Sequence, residues 1–113
     1  MQEDNQPLYE NEAYLALMHL RPLMRRASGS PDVSIGVIDG PVDLTHPAFT
    51  TARIRAVHDQ TQPIECQDHE SASCVHGTFV TGVLCGQRRG VAPALCPHCE
   101  DRKSTRLNSS HRL

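Results

Sequence analysis

The sequence predicts an α/β fold built on a parallel central sheet with flanking helices. Three observations carry that expectation. Residues 33–39 form an almost wholly apolar or small run, as a strand covered on both faces requires. That run ends in Asp39-Gly40-Pro41, a charge followed by two chain-turning residues, and open α/β sheets place their sites beyond the carboxyl ends of their strands. Further on, Phe79, Val80, Val83 and Leu84 give paired apolar positions one helical turn apart, directly after His76.

The other elements follow in chain order. Residues 1–10 are polar and read as a frayed terminus. Asn11 suits the cap of a helix beginning at Glu12, with acidic residues in its first turn. Ala13, Leu17, Leu20 and Met24 make one apolar stripe, which Pro22 is expected to end or kink near Arg21. Residues 27–32 are a linker by composition. Residues 53–57 read as a second strand with Ile54 toward the core, and 58–73 as a long polar loop. The helix at 77–85 stops at Gly86, the pair Arg88-Arg89 reads as a solvated turn, and 94–96 as a further extended segment. The chain so divides into a helix and linker at 1–31, a partial domain at 32–99, and a tail at 100–113.

Composition bounds the function. A chain of 113 residues makes one small domain, and a net charge of −2 without a basic cluster excludes a nucleic-acid partner. No apolar run has the length of a membrane span, so no membrane partner is expected. The start, Met1-Gln2-Glu3-Asp4, is not a secretory signal, so a cytoplasmic location is expected. Five cysteines cannot all pair within one chain, and in that compartment they are expected mostly reduced.

The chemistry centres on Asp39 and His76. A histidine at a helix N-terminus sits near the positive end of the dipole, which disfavours imidazolium; a neutral imidazole can serve as a general base. Gly77 permits a tight turn or the close approach of another backbone. Taken singly, Asp-Gly-Pro opens a turn and a histidine beside glycine is a turn residue.

Taken together, the two stretches resemble the subtilisin-like (S8) serine peptidases. The matching residues are 33–40, Val42-Asp43, His46-Pro47, His76-Gly77-Thr78 with Val80 and Gly82, then Gly90-Val91-Ala92-Pro93, in the family's order. Asp39-Gly40-Pro41-Val42-Asp43 and Cys74-Val75-His76 look most like peptidases that mature cyanobactin-type peptides. The resemblance implies a partial subtilisin-like sheet, truncated before the half that bears the nucleophile. It implies that Asp39 orients His76, and that His76 is base for a serine and then acid for the leaving amine. Gly77 and Gly82 would let the helix pack closely on the sheet. Phe79 stands where many relatives carry a second, non-catalytic histidine. The nucleophile motif Gly-Thr-Ser-x-Ala-x-Pro and the oxyanion-hole asparagine motif do not occur in the chain. The expectation is therefore an N-terminal fragment, inactive alone, of an endopeptidase acting on a peptide or protein substrate without cofactor or metal.

Other constellations compete. Cys66, His69, Cys74 and His76 are the ligand types of a structural zinc site, at a spacing matching none of the usual templates. Cys96-Pro97-His98-Cys99 is a C-x-x-C without a second copy, read as incidental reduced thiols. Residues 100–113 show neither strand alternation nor an apolar stripe; they resemble a translated assembly scar and are set outside the fold, and Ser104, Ser109 and Ser110 are not nucleophile candidates. The alternatives to a peptidase fragment are a small Cys/His zinc module and a non-catalytic interaction piece.

Overall fold

A computed structural model describes residues 10–57, 62–89 and 93–105. The order of elements is α1 (Glu10–Leu17), α2 (Arg21–Arg26), β1 (Ser34–Asp39), a 3-10 turn (Pro47–Phe49), β2 (Arg53–Ala56), α3 (Ala72–Cys85) and β3 (Glu100–Thr105). The three strands make one parallel sheet in the order β1-β3-β2, so the last strand in sequence lies at its centre. This is the α/β architecture that the sequence predicts. Residues 1–9, 58–61, 90–92 and 106–113 lie outside the described residues, and with them the expected frayed terminus, part of the polar loop, most of Gly90-Val91-Ala92-Pro93 and the end of the tail.

The central strand corrects the reading of the tail. Residues 100–105 are not outside the sheet; they pair with β1 from Ser34↔Glu100 to Asp39↔Thr105 and with β2 from Arg53↔Glu100 to Ala56↔Lys103. Backbone pairing on both sides makes this segment a strand, and nothing in its side chains announces it. Asp101, Lys103 and Thr105 point inward and are buried. Asp101 lies between Ile35 and Ile54, and Lys103 between Val37 and Ala56. The expected strand at 94–96 is irregular chain instead, leading into a turn at Pro97-His98.

β1 also differs from expectation. It is an edge strand, and of its residues only Val37 is buried, while Ile38 on the opposite face is 71% exposed. The sheet covers one face rather than two. On the covered side Val42, Phe49 and Cys85 form a small core, with Leu44, Ala52 and Ile54 packed against it.

At the N-terminal end Pro22 does not end a helix. Helix α1 stops at Leu17, His19 takes a left-handed φ of 56°, and Pro22 lies in the first turn of α2, where its missing N–H is not needed. Arg88 is not a solvated turn residue. Its guanidinium donates to the carbonyls of Met24 and Ala27 at the end of α2 and to those of Ala94 and Leu95. It therefore satisfies carbonyls that a helix C-terminus leaves without partners and ties α2 to the segment before β3.

Candidate active site

Asp39 is the last residue of β1, and its position follows from the strand ending in Gly40-Pro41. One carboxylate oxygen accepts the Gly40 amide at 2.6 Å, and His76 Nδ1 lies 3.0 Å from both oxygens. Burial alone would raise the Asp39 carboxyl; the Gly40 amide, His76 and the charge of Lys103 outweigh it and hold it below the ordinary value. The carboxylate is thus ionised where it meets the imidazole. The His76 side chain is 66% exposed, so with Nδ1 on Asp39 the ring leaves Nε2 as the nitrogen open to a reacting group.

His76 sits one turn further into its helix than the sequence reading places it. α3 begins at Ala72, with Ser71 as its cap: the Ser71 hydroxyl accepts the Cys74 amide at 3.2 Å. His76 is consequently in the second turn, where the dipole's effect has largely fallen away. The carboxylate, not the helix end, sets its environment.

Two glycines bring the pair together. A Cβ on Gly77 would lie 2.3 Å from the Pro41 carbonyl oxygen and 2.4 Å from that of Gly40, and a Cβ on Gly40 would lie 2.4 Å from the Ser73 carbonyl oxygen. The helix therefore rests directly on the turn after β1, as Gly77 led us to expect. Gly82 has no such role, since the nearest atom to its virtual Cβ is Phe49 Cζ at 3.8 Å, an ordinary contact. The buried side of α3 is Cys74, Gly77, Thr81 and Cys85, while Phe79 is 61% exposed. The fully buried positions are small residues; of the large apolar ones chosen from the sequence, Val80, Val83 and Leu84 are half-buried and Phe79 is exposed.

A second aspartate–histidine pair lies nearby in the chain and was not foreseen. His69 Nδ1 is 3.1 Å from Asp43 Oδ2, and Asp43 Oδ1 accepts from the amide and hydroxyl of Thr45. These contacts, chiefly the Thr45 hydroxyl, hold the Asp43 carboxyl below its ordinary value. The Asp43 amide donates to Thr78 Oγ1 at 2.8 Å, which ties this loop to α3.

The zinc constellation takes a different form. Cys66 and Cys74 are joined in a disulfide with a Cα–Cα separation of 5.7 Å, so the expectation of mostly reduced cysteines applies to the other three alone. Residues 64–66 run beside Val42, through Val42 N–H to Ile64 O and Cys66 N–H to Val42 O, and this brings Cys66 back over the first turn of α3. His69 and His76 are each paired with a carboxylate. Cys85, Cys96 and Cys99 are free thiols; burial pushes the Cys96 thiol up to about 11. Among the described residues no three His, Cys, Asp or Glu side chains are grouped to hold a metal ion, and no helix is long and apolar enough to cross a membrane.

No family model matches the chain, and no curated protein matches it. Among solved structures, the structure of the prenylagaramide maturation protease PagA is similar, with a TM-score of 0.61 and 24% sequence identity. The match covers 80% of this chain and 28% of that one. The chain thus spans little more than a quarter of that protease's length and shares the fold of that part, a partial subtilisin-like α/β arrangement of parallel strands and flanking helices.

Proposed function

We propose that the chain is the part of a subtilisin-like serine endopeptidase that carries two members of an Asp-His-Ser triad, Asp39 and His76. The observation that supports this reading is the 3.0 Å contact between the Asp39 carboxylate and His76 Nδ1, formed at a strand end and a helix that the fold holds together. In the proposed reaction a serine outside this chain attacks the scissile carbonyl. His76 Nε2 takes the serine proton and returns it to the leaving amine, and Asp39 fixes the tautomer and stabilises the imidazolium that forms. The structural neighbour is a prenylagaramide maturation protease. With the cyanobactin-type likeness of residues 39–43 and 74–76, it supports a precursor peptide as the substrate of the complete enzyme. A cytoplasmic site of action remains part of this reading.

The 113-residue chain alone holds the base and its orienter, but no motif for the attacking atom or the oxyanion donor. Triad-deficient proteases retain rates of about 10³–10⁴ over water through their oxyanion hole and binding cleft. The chain is expected to lack even that. The test is to express it beside the longer reading frame of its source and assay both on a peptide library. The longer form is expected to be active, to be blocked by a fluorophosphonate, and to lose about 10⁶-fold in kcat on His76→Ala and about 10⁴-fold on Asp39→Ala. Indifference of the longer form to both substitutions would sink the peptidase assignment. Turnover by the short form that disappears on His76→Ala would show that the nucleophile lies within it.

A further inference from the structure

We infer that the Cys66–Cys74 disulfide is a site of reversible thiol–disulfide exchange with a dithiol reductant, and that its state decides whether the Asp39–His76 pair is held. The inference concerns regulation of the site above and rests on reading that pair as its working part.

The disulfide stands at a junction. Cys74 is two residues before His76 on α3 and is 1% exposed. The segment ending at Cys66 is held beside Val42, three residues after Asp39, by the Val42 amide on Ile64 O at 2.8 Å and the Cys66 amide on Val42 O at 2.9 Å. The bridge therefore joins the helix that carries the imidazole to the loop that follows the carboxylate. The segment it closes supplies the rest of the junction. Asp68 O accepts from the Ser71 amide and hydroxyl, Ser71 caps α3, and His69 pairs with Asp43. Asp43 returns to α3 through its amide on Thr78 Oγ1. Without the bridge, α3 keeps its backbone approach to Gly40 and Pro41 but loses its covalent tie to the segment beside Val42, leaving the Ser71 and His69 contacts to join the two.

The two sulfurs differ in a way that directs the exchange. Cys66 is half-buried and Cys74 is buried, so an incoming thiolate reaches Cys66 Sγ. Attack there breaks the S–S bond and forms a mixed disulfide with Cys66; Cys74 leaves as a thiolate in the first turn of the 14-residue α3, where helix amides favour negative charge. The second thiol of the reductant then attacks the mixed disulfide and releases Cys66 as a thiolate. The reductant ends as a disulfide, and two electrons have passed to the protein. The other three cysteines, Cys85, Cys96 and Cys99, are free and take no part.

The experiment uses the 113-residue chain with Cys85, Cys96 and Cys99 replaced by serine, beside wild type. Thiol counting in denaturant is expected to find three thiols in wild type before reduction and five after. Amide exchange followed by NMR is expected to show Asp43, Cys74 and Val75 losing about tenfold or more of their protection on reduction, with the β1–β3 ladder unchanged. The Asp39 carboxyl titration, read by carbon NMR, is expected to rise on reduction to the midpoint seen in His76→Ala, and to return on reoxidation. Cys66→Ser with Cys74→Ser should reproduce the reduced state without reductant; if that variant does not fold, the reduction–reoxidation cycle alone decides. Five thiols before reduction would overturn the inference, and so would an Asp39 titration unmoved by reduction. Uniform loss of protection across the sheet would overturn it too, by making the bridge a staple for the whole fold. An oxidised form in which His76→Ala leaves the Asp39 titration unchanged would instead remove the pair itself, and with it the proposed function.

Discussion

Gly77 is the residue on which the geometry of the site turns, and two effects of a methyl group there oppose each other. Alanine in the interior of α3 gains about 1 kcal/mol of helix propensity over glycine. Its Cβ, however, would meet two backbone carbonyl oxygens at 2.3 and 2.4 Å, and backbone cannot rotate away as a side chain can. Overlap of this kind costs about 1–3 kcal/mol, so it prevails. Gly77→Ala is expected to lower the urea midpoint and to separate His76 from Asp39, visible as loss of the His76→Ala effect on the Asp39 titration; an unchanged midpoint and an intact pair would contradict the close-approach argument. The close approach at Gly77 was legible from its missing Cβ, whereas Asp39 and His76, each a turn residue when taken singly, were paired through the family resemblance. The Asp43–His69 pair was not legible, because His69 lies in a polar loop whose path depends on the bridge to Val42 and on the disulfide.

Elements were legible where side-chain pattern and backbone agreed, as in β1 and β2, and misread where they parted. α3 turns its small residues to the sheet because backbone contact at Gly77 leaves no room for larger ones, so the apolar pattern at Phe79 pointed to the wrong face. β3 is the stronger case. Its inward side chains include Asp101 and Lys103, 1% and 0% exposed, in positions flanked by Ile35, Ile54 and Val37. Asp101 Oδ2 accepts the Cys85 thiol while Oδ1 is buried without a hydrogen bond, and Lys103 Nζ reaches the Ser104 carbonyl. Burial raises the Asp101 carboxyl against the pull of Cys85 and Lys103, and lowers the Lys103 ammonium against that of Asp39 and Asp101. Both shifts mark charged forms held in the wrong medium. Replacing buried charged groups together by apolar ones of similar size is neutral or stabilising by about 1–4 kcal/mol, whereas removing one partner is destabilising. Asp101→Val with Lys103→Leu is accordingly expected to raise the denaturation midpoint above wild type, and Lys103→Leu alone to lower it. A double variant less stable than either single one would contradict this reading, by showing that each side chain stabilises the sheet independently of the other.

At the scale of the whole molecule the sheet has two edges among the described residues, β1 and β2, and the one beside the candidate site is β1. β1 is an edge strand, and Ile38 stands on the sheet face turned away from Val37 and the core. Val33, Val75 and Phe79 are also half or more exposed. A bare parallel edge beside exposed apolar side chains is a template for pairing with another chain, and native proteins blunt such edges with lysine or cover them. The charges on this face lie on its other strands, Glu100 and Arg102 of β3 and Arg53 and Arg55 of β2, and β1 itself has none until Asp39 at its end. The chain alone is therefore expected to associate as its concentration rises, with a sedimentation mass above the 12.5 kDa of one copy. Ile38→Lys adds a charge at the exposed position nearest the candidate site without entering the core, and is expected to return the chain to a monomer while keeping its midpoint within about 0.5 kcal/mol. In a longer chain of the kind proposed above, the same substitution should behave differently. If further chain covers β1 there, the lysine would be buried against it and would lower stability by more than 1 kcal/mol, a large effect for one surface position. Equal tolerance of Ile38→Lys in both forms, with the short form monomeric from the outset, would show that nothing docks on this edge.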